Sequence, residues 1–290
     1  MNETTSGVFV GVDGSDESMR AVEWAAADAA RRDTGLTICH VIAEDLISGH
    51  RREPLAPQIR RLADRMLAAA ADRAAAVAPG VAIQRQVCSG HPAKELITRA
   101  REAQVLVLGR RGHSSVLAVL LGSIGLQVAG HAPVPVVVTR GDTARGGPVV
   151  VAVDGSASSA AALRFGIDHA RRTGSAVVAV HVVPYPLTAP ATPMAPSPTL
   201  RVTLEDAEQI RKEGAALLDE VVDRVPADGV EADRRVLQGA TAGELVAVSA
   251  AASLLVVGSR GRGGFAGLVL GSVSQHALAH AAAPVAVIHA

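Results

Sequence analysis

The chain has 290 residues, about the length of two average domains, and with 49% hydrophobic residues it can bury substantial cores. Aromatic residues make up only 2%, which argues against recognition of bases by stacking, and 28 basic against 28 acidic residues leave no charge excess for nucleic acid or an anionic membrane. The start, MNETTSGVFVGVDGS, has no charged leader before an apolar segment, and no apolar run reaches the roughly 18 residues of a membrane helix, so a cytoplasmic location is expected.

Val8–Val12 is a short, β-branched apolar run that reads as a strand. Asp16–Arg32 carries apolar residues at helical spacing behind Ser and Asp residues suited to an N-cap. Leu36–Val41 is a second strand, followed by a helix over about Pro57–Val77. Its Arg residues, interleaved with Ala, read as a solvated face. A more polar third strand spans Val81–Val87, and a helix runs from about Pro92 to Glu102. Val105–Leu108 is continuously apolar, as a strand covered on both faces should be. A glycine-rich loop leads to a helix from about Ser123, and Val134–Thr139 is a fifth strand. Pro135, and Pro284 in the second copy, suggest that this strand lies at a sheet edge. Cys39 and Cys88 sit in strand-like runs and read as buried, reduced thiols.

The order then repeats. VFVGVDGS at 8–15 returns as VVVAVDGS at 149–156, an offset of 141 that also carries His40-Val41 onto His181-Val182. From Gly90 to Val138 the second copy runs without a gap at Gly239 to Val287. The extra residues fall in PYPLTAPATPMAPSP, whose composition suits a surface excursion, and GDTARGG at 141–147 forms the link between copies. Two domains are therefore expected, over residues 1–141 and 148–290. Each alternates strand and helix, which predicts an α/β fold: two tandem doubly wound domains, each a five-stranded parallel sheet with helices on both faces. The fifth strands are the expected contact between the halves, since an exposed edge needs covering.

GRRGHSSVLAVLLGS at 109–123 and GSRGRGGFAGLVLGS at 258–272 share one spacing: Gly, two residues, Gly, nine residues, then Gly-Ser. Each begins where a fourth strand ends, the end at which such sheets bind ligands. Each finishes at a helix N-terminus, where free N–H groups favour an anion. Arg110, Arg111, Arg260 and Arg262 could add positive charge. Glycine loops that only turn the chain remain the alternative, but two copies with identical spacing favour a phosphate site. Asp13 and Asp154 end the first strand of each copy as ligand candidates, although Asp-Gly-Ser is also good turn and cap chemistry.

Gly-x2-Gly-x9-Gly-(Ser/Thr) after an early strand ending in Asp-Gly-Ser resembles the universal stress protein family in its tandem-domain, ATP-binding form. The resemblance covers nearly the whole chain, once per half. It implies ATP, with Mg²⁺ accompanying it, as the ligand of each half. Asp13 and Val41 would then contact base or ribose, with Gly109, Gly112, Gly122 and Ser123 holding ribose and phosphates. In the second half the same roles fall to Asp154 and Val182, and to Gly258, Gly261, Gly271 and Ser272. The resemblance further implies a regulatory role in stress or dormancy, exerted through a protein partner the sequence does not name, and it admits a homodimer. Nucleic acid and membrane are not expected partners.

Rival motifs carry less. GRGGFA at 261–266 matches a dinucleotide fingerprint, but the first copy has GHSSVL there and no acidic residue follows at the needed distance. There is no P-loop, and Lys94 and Lys212 are the only lysines. His276 and His280 stand four apart on a helix without an obvious third ligand, and the first copy has Gln127 and His131 there. Gly-x-Ser-x-Gly is missing. The loops contain no Asp or Glu, so ATP binding is expected ahead of turnover. A slow ATPase, a nucleotide-dependent transferase and a structural pair stabilised by ATP stand as alternatives to a regulatory binder.

Overall fold

The computed structural model describes residues 7–44, 56–110, 122–141, 145–184, 204–227, 229–262 and 269–290. The first half comprises β1 (Val8–Gly11), α1 (Asp16–Arg31), β2 (Leu36–Ala43), α2 (Ala56–Val77), β3 (Ile83–Gly90), α3 (Pro92–Arg99), β4 (Val105–Gly109), α4 (Ser123–His131) and β5 (Val136–Thr139). The second comprises β6 (Val149–Ala152), α5 (Ala157–Thr173), β7 (Val177–Val183), α6 (Leu204–Arg224), β8 (Ala232–Gln238), α7 (Thr241–Ser249), β9 (Leu254–Gly258), α8 (Ser272–His280) and β10 (Val285–Ile288). A single 3-10 turn, Ala100–Glu102, follows α3.

Within each half every strand pairing is parallel, and the ten strands form one sheet in the order β3-β2-β1-β4-β5-β10-β9-β6-β7-β8. The halves join through β5 and β10, which run antiparallel with Val138 opposite Val285 and Val136 opposite Val287. The fifth strands are thus the contact the sequence suggests, but they are central and not edges. Pro135 and Pro284 are tolerated because each lies one residue ahead of its strand. Their carbonyls still serve the ladder, accepting from Leu106 N and Leu255 N at 2.9 Å. The third strand also begins later than its apolar pattern suggests. Val81 N is taken up in a turn to Ala78 O, and β3 runs on to Gly90 beside the long β2.

The alternation of side chains along each strand builds two cores. Val8, Val10, Val105, Val107 and Val137 point into one, under α1, α2, α5 and α6. Phe9, Leu106, Leu108, Val136 and Val138 point into the other, under α3, α4, α7 and α8. Each core holds residues of both halves, so apolar packing is continuous across the β5–β10 seam. Cys39 and Cys88 are free and buried in the second core.

The seam is also bridged by helices. Trp24 of α1 stacks on His169 of α5, with ring centroids 5.8 Å apart. Asp28, fully buried, lies 2.5 Å from Arg32 Nε and 3.6 Å from His169 Nδ1. Burial raises the Asp28 carboxyl pKa, but His169 and Arg32 outweigh that and hold it at about 2. Among the described residues no helix is long and apolar enough to cross a membrane.

Candidate functional site

The carboxyl ends of β1, β2 and β4 open onto one cleft, and those of β6, β7 and β9 onto another. In an open parallel sheet this is where two neighbouring connections leave in opposite directions and a crevice forms. Asp13, Val41, Gly109, Gly122 and Ser123 line the first cleft. Asp154, Val182, Gly258, Gly261, Gly271 and Ser272 line the second, whose volume is about 600 Å³. That size lies within the roughly 300–1,000 Å³ of small-ligand sites. Gly112 lies outside the described residues, as do Arg111, His113 and most of the proline-rich excursion.

The two Asp-Gly-Ser turns are built alike. Gly14 and Gly155 have φ of +85° and +81°, a left-handed backbone that favours glycine. Asp13 Oδ1 accepts from Ser15 N at 3.0 Å and from Ser15 Oγ at 2.6 Å. Asp154 Oδ1 accepts from Ser156 N and Oγ at the same distances. The helix caps are Ser15 and Ser156, which accept from Ser18 N and Ser159 N. The turn chemistry anticipated for these aspartates is therefore present, and it engages one carboxylate oxygen. In the second half the other oxygen accepts from Arg262 N at 3.1 Å, tying the glycine loop to the aspartate.

The glycines divide into two kinds. A Cβ on Gly109 would lie 2.7 Å from the Glu17 carbonyl, and one on Gly258 would lie 2.6 Å from Ser158 Oγ. These two are glycine because the N-terminus of α1 or α5 packs against them. Gly261 is similarly confined, 2.5 Å from Asp154 Oδ2. Gly122 and Gly271 differ. Their φ and ψ, −57° and 149°, and −69° and 154°, suit any residue. A Cβ on Gly122 would meet nothing within 4 Å, and one on Gly271 would make only ordinary contact with Ser259 O at 3.4 Å. Neither backbone strain nor packing among the described residues demands glycine there.

These same two glycines are the N-caps of α4 and α8, and neither helix has a side-chain cap. The first-turn N–H groups of both helices thus face the clefts without the hydroxyl that α1 and α5 enjoy. Arg110 lines the first cleft, and Arg260 and Arg262 line the second, adding positive charge on the same side.

Sequence reasoning did not select the histidines beside Val41 and Val182. His40 Nδ1 bonds Val12 O at 2.8 Å, and His181 Nδ1 bonds Val153 O at 2.7 Å. A carbonyl only accepts, so Nδ1 carries the proton and Nε2 is left as the ring's remaining polar atom. Both rings line their clefts. The repeated His-Val dipeptide was the available signal. The rings of His276 and His280 lie 4.4 Å apart, but among the described residues no group of three or more His, Cys, Asp or Glu could hold a metal ion.

The model of the universal stress protein family matches residues 7–140 and 147–289. A universal stress protein of Mycolicibacterium smegmatis is 34% identical over 299 residues, covering 98% of this chain and 97% of that one. A universal stress protein of Mycobacterium tuberculosis is 33% identical over 302 residues, covering 97% and 96%. Among solved structures, a universal stress protein from Archaeoglobus fulgidus superposes with a TM-score of 0.72 at 22% identity, covering 98% of each chain.

Proposed function

The chain belongs to the universal stress protein family, and we propose that within it this protein is a regulatory binder of ATP with one site in each half. The observation that carries the reading is the helix N-terminus behind Gly122 and again behind Gly271, which among the described residues has no side-chain cap and has open space or only ordinary contact where a Cβ would project. An anionic ligand satisfies such N–H groups, and the residues around them fit a nucleotide. The first-turn amides of α4 and α8, with Ser123 and Ser272, would hold phosphate oxygens. Arg110, Arg260 and Arg262 would balance their charge. Asp13 and Asp154 would accept from ribose or base, and the walls formed with Val41 and Val182 would cover the base. Mg²⁺ would accompany the triphosphate.

Binding of this kind regulates only through differential affinity for two states of the protein. The Asp154–Arg262 contact supplies such a difference, because a ligand taking the aspartate's second oxygen releases the loop amide. The partner that would read this change is a protein.

The test is the nucleotide content of the chain purified without added nucleotide, denatured and resolved by chromatography. Two ATP per chain are expected. No release, together with no ATP binding on addition, would overturn the reading. Release of ADP with steady turnover would replace it by a slow ATPase or transferase.

A further inference from the structure

We propose that Cys39 and Cys88 form a peroxide-responsive dithiol site, closing to a disulfide in the wall of the first cleft. The two sulfurs lie 3.6 Å apart on the adjacent parallel strands β2 and β3, where Val41 pairs with Cys88 and Cys39 sits two residues before it on the same face. A disulfide needs about 2.05 Å between sulfurs, and because the two residues are diagonal rather than direct partners in the register, closure brings a small shift of β2 against β3 as well as rotation of the side chains.

Packing does not explain the pair. The corresponding positions of the second half are Val180 and Leu237, which fill the same core without sulfur. The thiols are also differentiated. The hydrogen bond from Cys39, aided by the nearby Arg99, lowers the Cys88 thiol pKa, whereas that contact and burial raise the Cys39 thiol pKa. Cys88 is therefore the nucleophile and Cys39 the resolving thiol. Access is through Cys88, which keeps 7% of its surface exposed, whereas Cys39 is fully buried in the wall of the first cleft.

The chemistry balances with hydrogen peroxide or an organic hydroperoxide as oxidant. The Cys88 thiolate attacks one peroxide oxygen. An S–O bond forms, the O–O bond breaks, and hydroxide or alkoxide leaves and takes the proton that Cys88 gave up. Cys39 sulfur then attacks the Cys88 sulfenic acid. The S–S bond forms, and the sulfenic oxygen leaves as water with the Cys39 proton. Two thiols are oxidised by two electrons and one peroxide is reduced.

The test treats the reduced full chain with hydrogen peroxide and follows intact mass and alkylatable thiols after denaturation. The expected result is loss of two hydrogens and of both thiols within one chain, reversed by dithiothreitol. Cys39→Val, which installs the second half's residue, should stop at a Cys88 sulfenic acid trapped by dimedone, and Cys88→Leu should take up no oxygen. Stepwise oxygen addition to the unmutated chain, or disulfides only between chains, would overturn the proposal. If ATP binds but no disulfide forms, the dithiol fails alone.

Discussion

At Gly122 and Gly271 neither backbone angles nor contacts among the described residues call for glycine, and the proposed anion site rests on that observation. No described residue obstructs alanine at either position, so Gly122→Ala and Gly271→Ala should fold with unchanged melting temperature and each lose about one equivalent of bound nucleotide. Full loading of both variants, read by released nucleotide, would remove the argument from these glycines. Gly109→Ala and Gly258→Ala should behave oppositely, losing about 1–3 kcal/mol of stability as the new methyl displaces α1 or Ser158. Asp13→Asn is a cleaner probe than truncation, because the amide oxygen can still accept from Ser15 while the charge is gone. Its expected effect is about a tenfold weaker first site at unchanged stability, measured by calorimetry.

Helix pairing shows the logic of the duplication at the next scale. The repeat offset carries Trp24 onto Phe165 and Asp28 onto His169, so α1 and α5 meet through equivalent positions that hold complementary residues. Two copies of the first half would set two buried carboxylates against each other. Asp28 is faced by Arg31 at 3.9 Å on its own helix, by Arg32 at that helix's C-cap and by His169 on α5. Its carboxyl pKa is lowered from 3.8 to about 2 in the fold, so its charge contributes about 2 kcal/mol above pH 4, lost as pH falls towards 2. Asp28→Asn should therefore be less stable than the unmutated chain at neutral pH, and the gap between their denaturant midpoints should narrow between about pH 4 and pH 2. A gap independent of pH would mean that shape, not charge, matters there.

Across the whole molecule, one sheet and two cores shared between halves imply one cooperative unit. Breaking the β5–β10 ladder exposes two central strands and both cores at once. Thermal unfolding should therefore be a single transition, with far-UV circular dichroism coincident with the fluorescence of Trp24, the only tryptophan. A two-step loss of ellipticity, with Trp24 reporting only one step, would make the halves independent.

The alternation of strands and helices, the duplication and the spacing of the glycine stretches could be read before any coordinates, because side-chain periodicity and turn chemistry are local properties. The turns at Asp13 and Asp154 were legible for the same reason, since Asp-Gly-Ser announces a turn wherever it follows a strand. Only the tertiary structure decided that β5 and β10 are central, because an antiparallel seam joins residues about 150 positions apart and local propensity carries no record of it. It likewise separated the glycines that packing requires from those it does not, and brought His40 and His181 to the cleft walls. The sulfurs of Cys39 and Cys88 meet for the same physical reason: which side chains touch across a sheet depends on register, and register is set by the whole fold.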